Sequence, residues 1–259
     1  MYSLYQLIFF FYIYAFLGWC LEVCFRSVVR GEFVNSGFLN GTYCPIYGVG
    51  MVLIVVLLRP VQDNLPLLFI TAVIITTLLE WVVGWVLHKL FHTRWWDYSH
   101  MPFNIGGYIC PAFSLAWGIA ACFAIKFVHP AIYFAVRHIS PKIGIPLLCI
   151  ISALFLTDII VTVLTILKLN RHLQLLFEIA SQMHETSDAV AKHLGNNAIE
   201  ASEKHKDIQL GLQAKLDIAK ADIIDMRIKG YSRLFKAFPE LKHDKYDDLL
   251  TILKDKYLH

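Results

Sequence analysis

The chain has 259 residues, is 57% hydrophobic and only 17% charged, and carries a formal net charge of +3. Soluble domains run near 25% charged, so an ordinary soluble globular protein is excluded. The charges are unevenly placed: residues 1–170 hold nine Lys/Arg and six Asp/Glu, and residues 171–259 hold the other 14 of each sign.

The expected architecture is therefore all-α, a polytopic helical membrane bundle over residues 1–170 followed by a soluble amphipathic helical tail over 171–259. Residues 4–25 form the first span, with Glu22 as its single charge; 22 residues are enough to cross a hydrocarbon core of about 30 Å. This stretch is too long for a signal-peptide core and lacks a basic leader, so it is expected to be retained. The next apolar segment, near 44–59, is short. The stretch from Cys44 to Leu58 rises only about 22 Å as a helix. Either the bilayer adapts to it, or the preceding loop GFLNGTY dips into the membrane, where protein or a water-filled cavity must surround its backbone. Spans near 65–87, 107–127 and 143–167 complete a count of about five. An odd count puts the termini on opposite sides. A cytoplasmic C-terminus places Arg26, Arg30, Lys89, Arg94, Lys168 and Arg171 inside, against Arg59, Lys126, Arg137 and Lys142 outside, a small positive-inside bias.

In the tail, Leu173, Leu176, Phe177 and Ala180 fall on one helical stripe, and Leu212, Leu216, Ala219 and Ile223 on another. Breaks are expected at residues 195–197, at Gly230 and at Pro239. These features predict three or four amphipathic helices, arranged as a hairpin or short coiled coil that packs on itself, on a second copy of the chain or on a soluble partner. All six cysteines lie within residues 1–170 and none forms a C-x-x-C pair, so they read as small buried hydrophobes.

Two stretches share a pattern. NGTYCPIYGVG (40–50) and GGYICPAFSLAWG (106–118) each place glycine and tyrosine before Cys-Pro and an aromatic residue two positions after it. Each follows a span bearing a glutamate near a Gly-Trp pair: Gly18-Trp19 with Glu22, and Glu80 with Gly84-Trp85. The pattern predicts a parallel internal repeat, built as a helix with Glu, a polar loop, Cys-Pro and a helix. Proline suits a helix's first turn, where its missing N–H has no intrahelical partner. The other free N–H groups there suit a carboxylate or an anion.

Acidic groups inside spans are costly and point to function. Glu22 can pair with Arg26 at i+4; Glu80 lies deeper, and Asp158 lies near mid-span beside Thr157 and Thr162. His88 and His92 stand at a spacing that can bind a metal, but without the H-E-x-x-H form. They suit the interfacial belt as well, and no metal or cofactor is expected. No nucleophile triad and no G-x-x-x-x-G-K-[ST] loop is present, so the chain cannot hydrolyse ATP by itself.

Gly18-Trp19 with Glu22, Asn35-Ser36-Gly37-Phe38-Leu39, Gly41, Cys44-Pro45-Ile46-Tyr47-Gly48, Trp96-Asp97-Tyr98-Ser99, Pro102, Asn104 and Trp117-Gly118 resemble the family catalogued as type IV ABC-transporter permeases of Gram-positive bacteria. The resemblance covers about residues 10–125, and Arg233–Pro239 is similar to C-terminal segments of that family. Ser36 stands where an arginine is common and Thr42 where a proline is common, so an anion contact by that arginine is not expected in this chain. The resemblance implies a membrane transport component working with a separate ATPase or other soluble partner on the tail.

The expected site lies between the two loops, in the cytoplasmic half. Glu22 and Glu80 carry charge for an ion or cationic group there, and Arg26, Arg30 and Asn35 line its mouth. Asp97 and Asn104 are their counterparts in the second loop. Tyr43, Tyr47, Trp117 and Asp158 complete the candidate ligand-binding set. Two other readings stay open. One is a membrane enzyme acting on a lipid or lipid-linked substrate through His88, His92, Asp97 and Glu80. The other is a non-catalytic sensor or scaffold with the tail as its output. Membrane lipids and a second copy of the chain are expected partners; nucleic acid is not.

Overall fold

The computed structural model describes residues 2–31, 33–193, 210–211, 214 and 230–258. It forms two compact units: Met1–Val163 with Lys236–Leu241, and Leu164–Phe235 with Lys242–His259.

The first unit is helical because its sequence offers long apolar runs closed by caps. Helix α1 spans Leu4–Arg30. Ser3 and Gln6 cap its start reciprocally, Gln6 N–H donating to Ser3 Oγ at 3.3 Å and Ser3 N–H to Gln6 Oε1 at 3.0 Å. It ends at Gly31 in the left-handed conformation (φ 73°), which glycine adopts without steric cost. Helix α2 spans Pro45–Leu57, with its proline in the first turn as expected. Helix α3 spans Leu65–Phe91, capped by Asn64. Helix α4 (Pro111–Phe123), a π turn (Ala124–Val128) and helix α5 (His129–Arg137) make one continuous rod. The π turn answers to Pro130, which cannot donate to the Lys126 carbonyl; His129 N–H reaches back to Ala124 O instead. Helix α6 runs from Pro141 to His193 and passes unbroken through the expected boundary at residue 170.

Four of these helices are long and apolar enough to cross a membrane: Leu4–Val28, Leu65–Phe91, Pro111–Arg137 and Pro141–Gln182. Helix α2, with 13 residues, is too short alone. Cys44 N–H donates to the carbonyl of Ala15 at 2.9 Å, so the loop after α1 returns halfway down that helix before α2 begins. Helix α2 then descends beside α1 until the Arg59 guanidinium lies over the Tyr2 ring, 5.5 Å from its centroid. Loop and helix together return the chain to the end of the bundle where it started.

Helices α1 and α2 pack closely because glycine leaves room. A methyl at Gly18 would collide with the Tyr47 ring, and one at Gly48 would lie 2.6 Å from the Phe11 carbonyl oxygen. Gly48→Val is therefore expected to lower stability by about 3 kcal/mol, at the upper end of overpacking effects, because backbone rather than a flexible side chain must move. Unfolding of the purified protein in mixed micelles would measure this. The core between these helices and their neighbours includes Phe10, Ile54, Leu68, Ala72 and Val136.

In the second unit α6 continues to His193 and α8 covers Asp247–Leu258; α7 covers Gly230–Ala237, its residues up to Phe235 belonging to this unit. Leu173, Tyr231, Leu234, Phe235 and Leu250 are buried, and the Phe177 ring meets Tyr246 at 5.2 Å. Of the expected stripe on α6, Leu173 is buried, Leu176 is half-buried, and Phe177 and Ala180 are exposed. The stripe at Leu212, Leu216, Ala219 and Ile223 and the break at 195–197 lie outside the fully described residues. Gly230 opens α7, and Pro239 follows its end.

Candidate functional site

Both loops fold back into the bundle, and each is braced by an asparagine. In the first, Trp19 Nε1–H donates to Asn35 Oδ1 at 2.7 Å, Gly37 N–H donates to the same oxygen at 3.3 Å, and Asn35 Nδ2 donates to the Asn40 carbonyl at 2.6 Å. In the second, Asn104 Nδ2 donates to the carbonyls of Ser99 and Met101, and Gly107 N–H donates to Asn104 Oδ1 at 3.1 Å. Asp97 Oδ1 accepts from Ser99 N–H at 3.0 Å and Ser99 Oγ at 2.6 Å, with Arg94 at 3.9 Å. Asn35, Asn104 and Asp97 thus shape the two loops.

Asp158 holds the first loop against α6. Its Oδ1 accepts from Asn40 N–H at 3.1 Å and Asn40 Nδ2 at 3.0 Å, and its Oδ2 accepts from Gly41 N–H at 2.7 Å. Thr162 adds a longer bond at 3.4 Å and also accepts from Asn40 Nδ2. A carboxylate in mid-helix is thereby satisfied by backbone and side-chain donors from a loop that needs acceptors at that depth. Tyr43 packs its ring on Tyr12 and Phe155 beside this clamp.

The glutamates occupy a different place, where α1–α2 meets α3–α4. Tyr47 OH donates to Glu22 Oε1 at 2.6 Å, and Arg26 Nε lies 3.8 Å from Glu22 Oε2. Tyr98 OH donates to Glu80 Oε1 at 3.2 Å. The Tyr47 ring meets Trp117 edge-on at 5.6 Å, and Tyr98 stacks on Phe113 at 4.7 Å. Trp117 also neighbours the Glu80 carboxylate, and Tyr98 feels the charges of both glutamates. Burial pushes the Tyr98 phenol up, and Glu80 beside it raises it further, so Tyr98 stays a donor. Glu80 is 7% exposed. Among the described residues its Oε2 accepts no hydrogen bond of good geometry, and the Trp117 side chain lies close enough to act on the same carboxylate.

The structure thus brings Glu22, Arg26, Tyr47, Glu80 and Trp117 together, and it gives Asn35, Asp97, Asn104 and Asp158 hydrogen bonds within or to the two loops, with Tyr43 packed beside Asp158. Arg30 lies in the last turn of α1. Tyr98 and Phe113 were missed. Tyr98 sits in a motif quoted for the resemblance and Phe113 in the second repeat stretch, but a search for charges inside apolar spans passes over aromatic rings. His88 Nδ1 bonds the Tyr108 hydroxyl, and His92 caps α3 in the left-handed conformation. Among the described residues no three His, Cys, Asp or Glu side chains are grouped to hold a metal.

Long apolar helices and a short helix entered from a returning loop, with a buried glutamate inside a span, mark a multi-pass α-helical membrane protein. The chain belongs to the family described as Putative ABC-transporter type IV, whose model matches residues 9–163. No curated protein and no solved structure matches it.

Proposed function

We propose that the chain is the membrane-spanning component of a transport system and that it handles an ion or cationic group between the two helical hairpins. The observation that carries this is Glu80: a carboxylate 7% exposed, with one oxygen accepting no hydrogen bond of good geometry among the described residues, faced by Tyr98 and Trp117. Such a group inside a bundle is costly unless it meets a positive partner, and aromatic faces beside it suit a cation. Arg26 is engaged with Glu22 instead. Family membership supports the transport reading. Since the sequence lacks a nucleotide-binding loop, a separate ATPase would supply energy, docking on residues 171–259 with the C-terminus in the cytoplasm.

The two hairpins are proposed to be an internal repeat. Gly18-Trp19 and Gly84-Trp85 lie 66 positions apart, as do Cys44-Pro45 and Cys110-Pro111 (18 to 84, 44 to 110). In this register Tyr14 aligns with Glu80, and Glu22 with His88. The glutamates are then complementary contributions from unlike positions rather than equivalent ones. Each of Glu22 and His88 bonds a tyrosine hydroxyl from its own hairpin, Tyr47 and Tyr108.

The test is complementation of a deletion strain. Wild type and Cys149→Ser, altered at an exposed cysteine, should restore the phenotype, and Glu80→Gln should not. Full rescue by Glu80→Gln at wild-type protein level removes the site.

A further inference from the structure

The segment Lys236–Leu241 belongs to the compact unit of the membrane helices, although the residues on either side of it in sequence do not. Its Phe238 ring sits edge-on against Trp95 at 4.9 Å. Trp95 in turn meets Phe38 of the first loop at 4.9 Å and Phe91 at the end of α3 at 6.3 Å. On its other side Phe238 lies under the Arg26 guanidinium, 5.7 Å from the ring centroid. Ala237 and Leu241 are 0% and 1% exposed. One aromatic side chain therefore touches two groups: Trp95, the second-loop residue that meets the first loop, and the arginine paired with Glu22. The local chemistry explains the fit. Trp95 offers an aromatic edge and face, Arg26 offers a cation to a π-system, and Pro239 cannot extend the helix that delivers Phe238.

We propose that this surface, formed by Trp95, Phe38, Phe91 and Arg26, is a receptor for the chain's own residues 236–241, which act as a tethered plug holding the two loops closed. With the plug seated, Arg26 lies 3.8 Å from Glu22, the Phe38 backbone of the first loop lies against the Cys44 thiol, and Cys44 and Cys110, the residues preceding α2 and α4, are buried. With it released, water and solutes reach both cysteines. The segment thus couples the C-terminal region to the site through Phe238, Arg26 and Glu22, whatever the transported species.

The test uses the full-length protein in lipid nanodiscs. N-ethylmaleimide alkylation is followed at each native cysteine by peptide mass analysis. Phe238→Ala is expected to raise the alkylation rates of Cys44 and Cys110 about tenfold or more, equivalent to about 1.4 kcal/mol of lost closure. Phe238→Tyr, which keeps the ring, should restore wild-type rates. Exposed Cys149 should react equally in all variants. Unchanged rates at Cys44 and Cys110 in Phe238→Ala overturn the plug. So does a parallel rise at Cys149, which would signal general loosening. If Phe238→Ala does not accumulate, Phe238→Leu carries the same comparison, and wild-type rates in it overturn the proposal.

Discussion

Asp158→Ala is expected to destabilise the protein by about 3 kcal/mol or more, the largest effect of any single side chain outside the aliphatic core. Three donors converge on that carboxylate: Asn40 N–H, Asn40 Nδ2 and Gly41 N–H. Each lies on the loop that has returned beside α1, Asn40 being exposed and Gly41 half-buried. A hydrogen bond to a charged acceptor contributes about 1.5–3 kcal/mol, and leaving its partner unsatisfied carries a further desolvation cost. Thr162 still reaches Asn40 Nδ2 at 2.9 Å, so the loss is less than the full sum. Asp158→Asn retains an acceptor but places an amide donor towards Asn40 or Gly41, and should lose about half as much. The measurement is unfolding in mixed micelles, together with proteolysis of the loop before α2. If Asp158→Ala matched wild type in both, the carboxylate would not be the clamp, and its mid-helix charge would return to the candidate ligand site.

Glu80 should behave in the opposite sense. Glu80→Gln keeps the side-chain shape and an acceptor for Tyr98 while removing a buried charge. Removing an imperfectly satisfied buried charge is often neutral or stabilising. The expected result is unchanged stability, or a gain of up to about 2 kcal/mol, alongside loss of complementation. That combination of retained stability and lost function separates a working residue from a packing one. A loss above about 1 kcal/mol would show that the carboxylate serves the fold, through Tyr98, instead. Set beside each other, Asp158 accepts hydrogen bonds at both oxygens from a distant loop, and Glu80 accepts one at Oε1 from Tyr98.

Much of the architecture was legible in linear order. Apolar runs of span length, Ser3 with Gln6, Asn64, and prolines at the starts of α2 and α4 all act over a few residues, so composition and local spacing suffice to place them. The shortness of the segment after Cys44 was also visible, because helix rise per residue is constant. Family membership followed from motif residues that lie close together along the chain. By contrast, the partners of the polar residues could not be read locally. Asn40 and Asp158 are 118 residues apart, and Tyr98 reaches Glu80 only because the second loop folds back along α3. Loop bracing and ligand binding use the same residue types, so the hydrogen bonds that Asn35, Asp97 and Asn104 make within the loops could not be read from the sequence.

The tail shows the same division. Its charge and its separation from the apolar region are properties of composition, but the unbroken run of α6 past residue 170 and the seat of Phe238 on Trp95 are not. The sequence by itself determined that the chain is a multi-pass helical membrane protein with acids inside it. Only the tertiary structure decided which donors each acid meets: Asn40 and Gly41 at Asp158, and Tyr98 at Glu80. The physical reason is that a buried charge takes its role from the donors around it, and those donors come from distant parts of the chain.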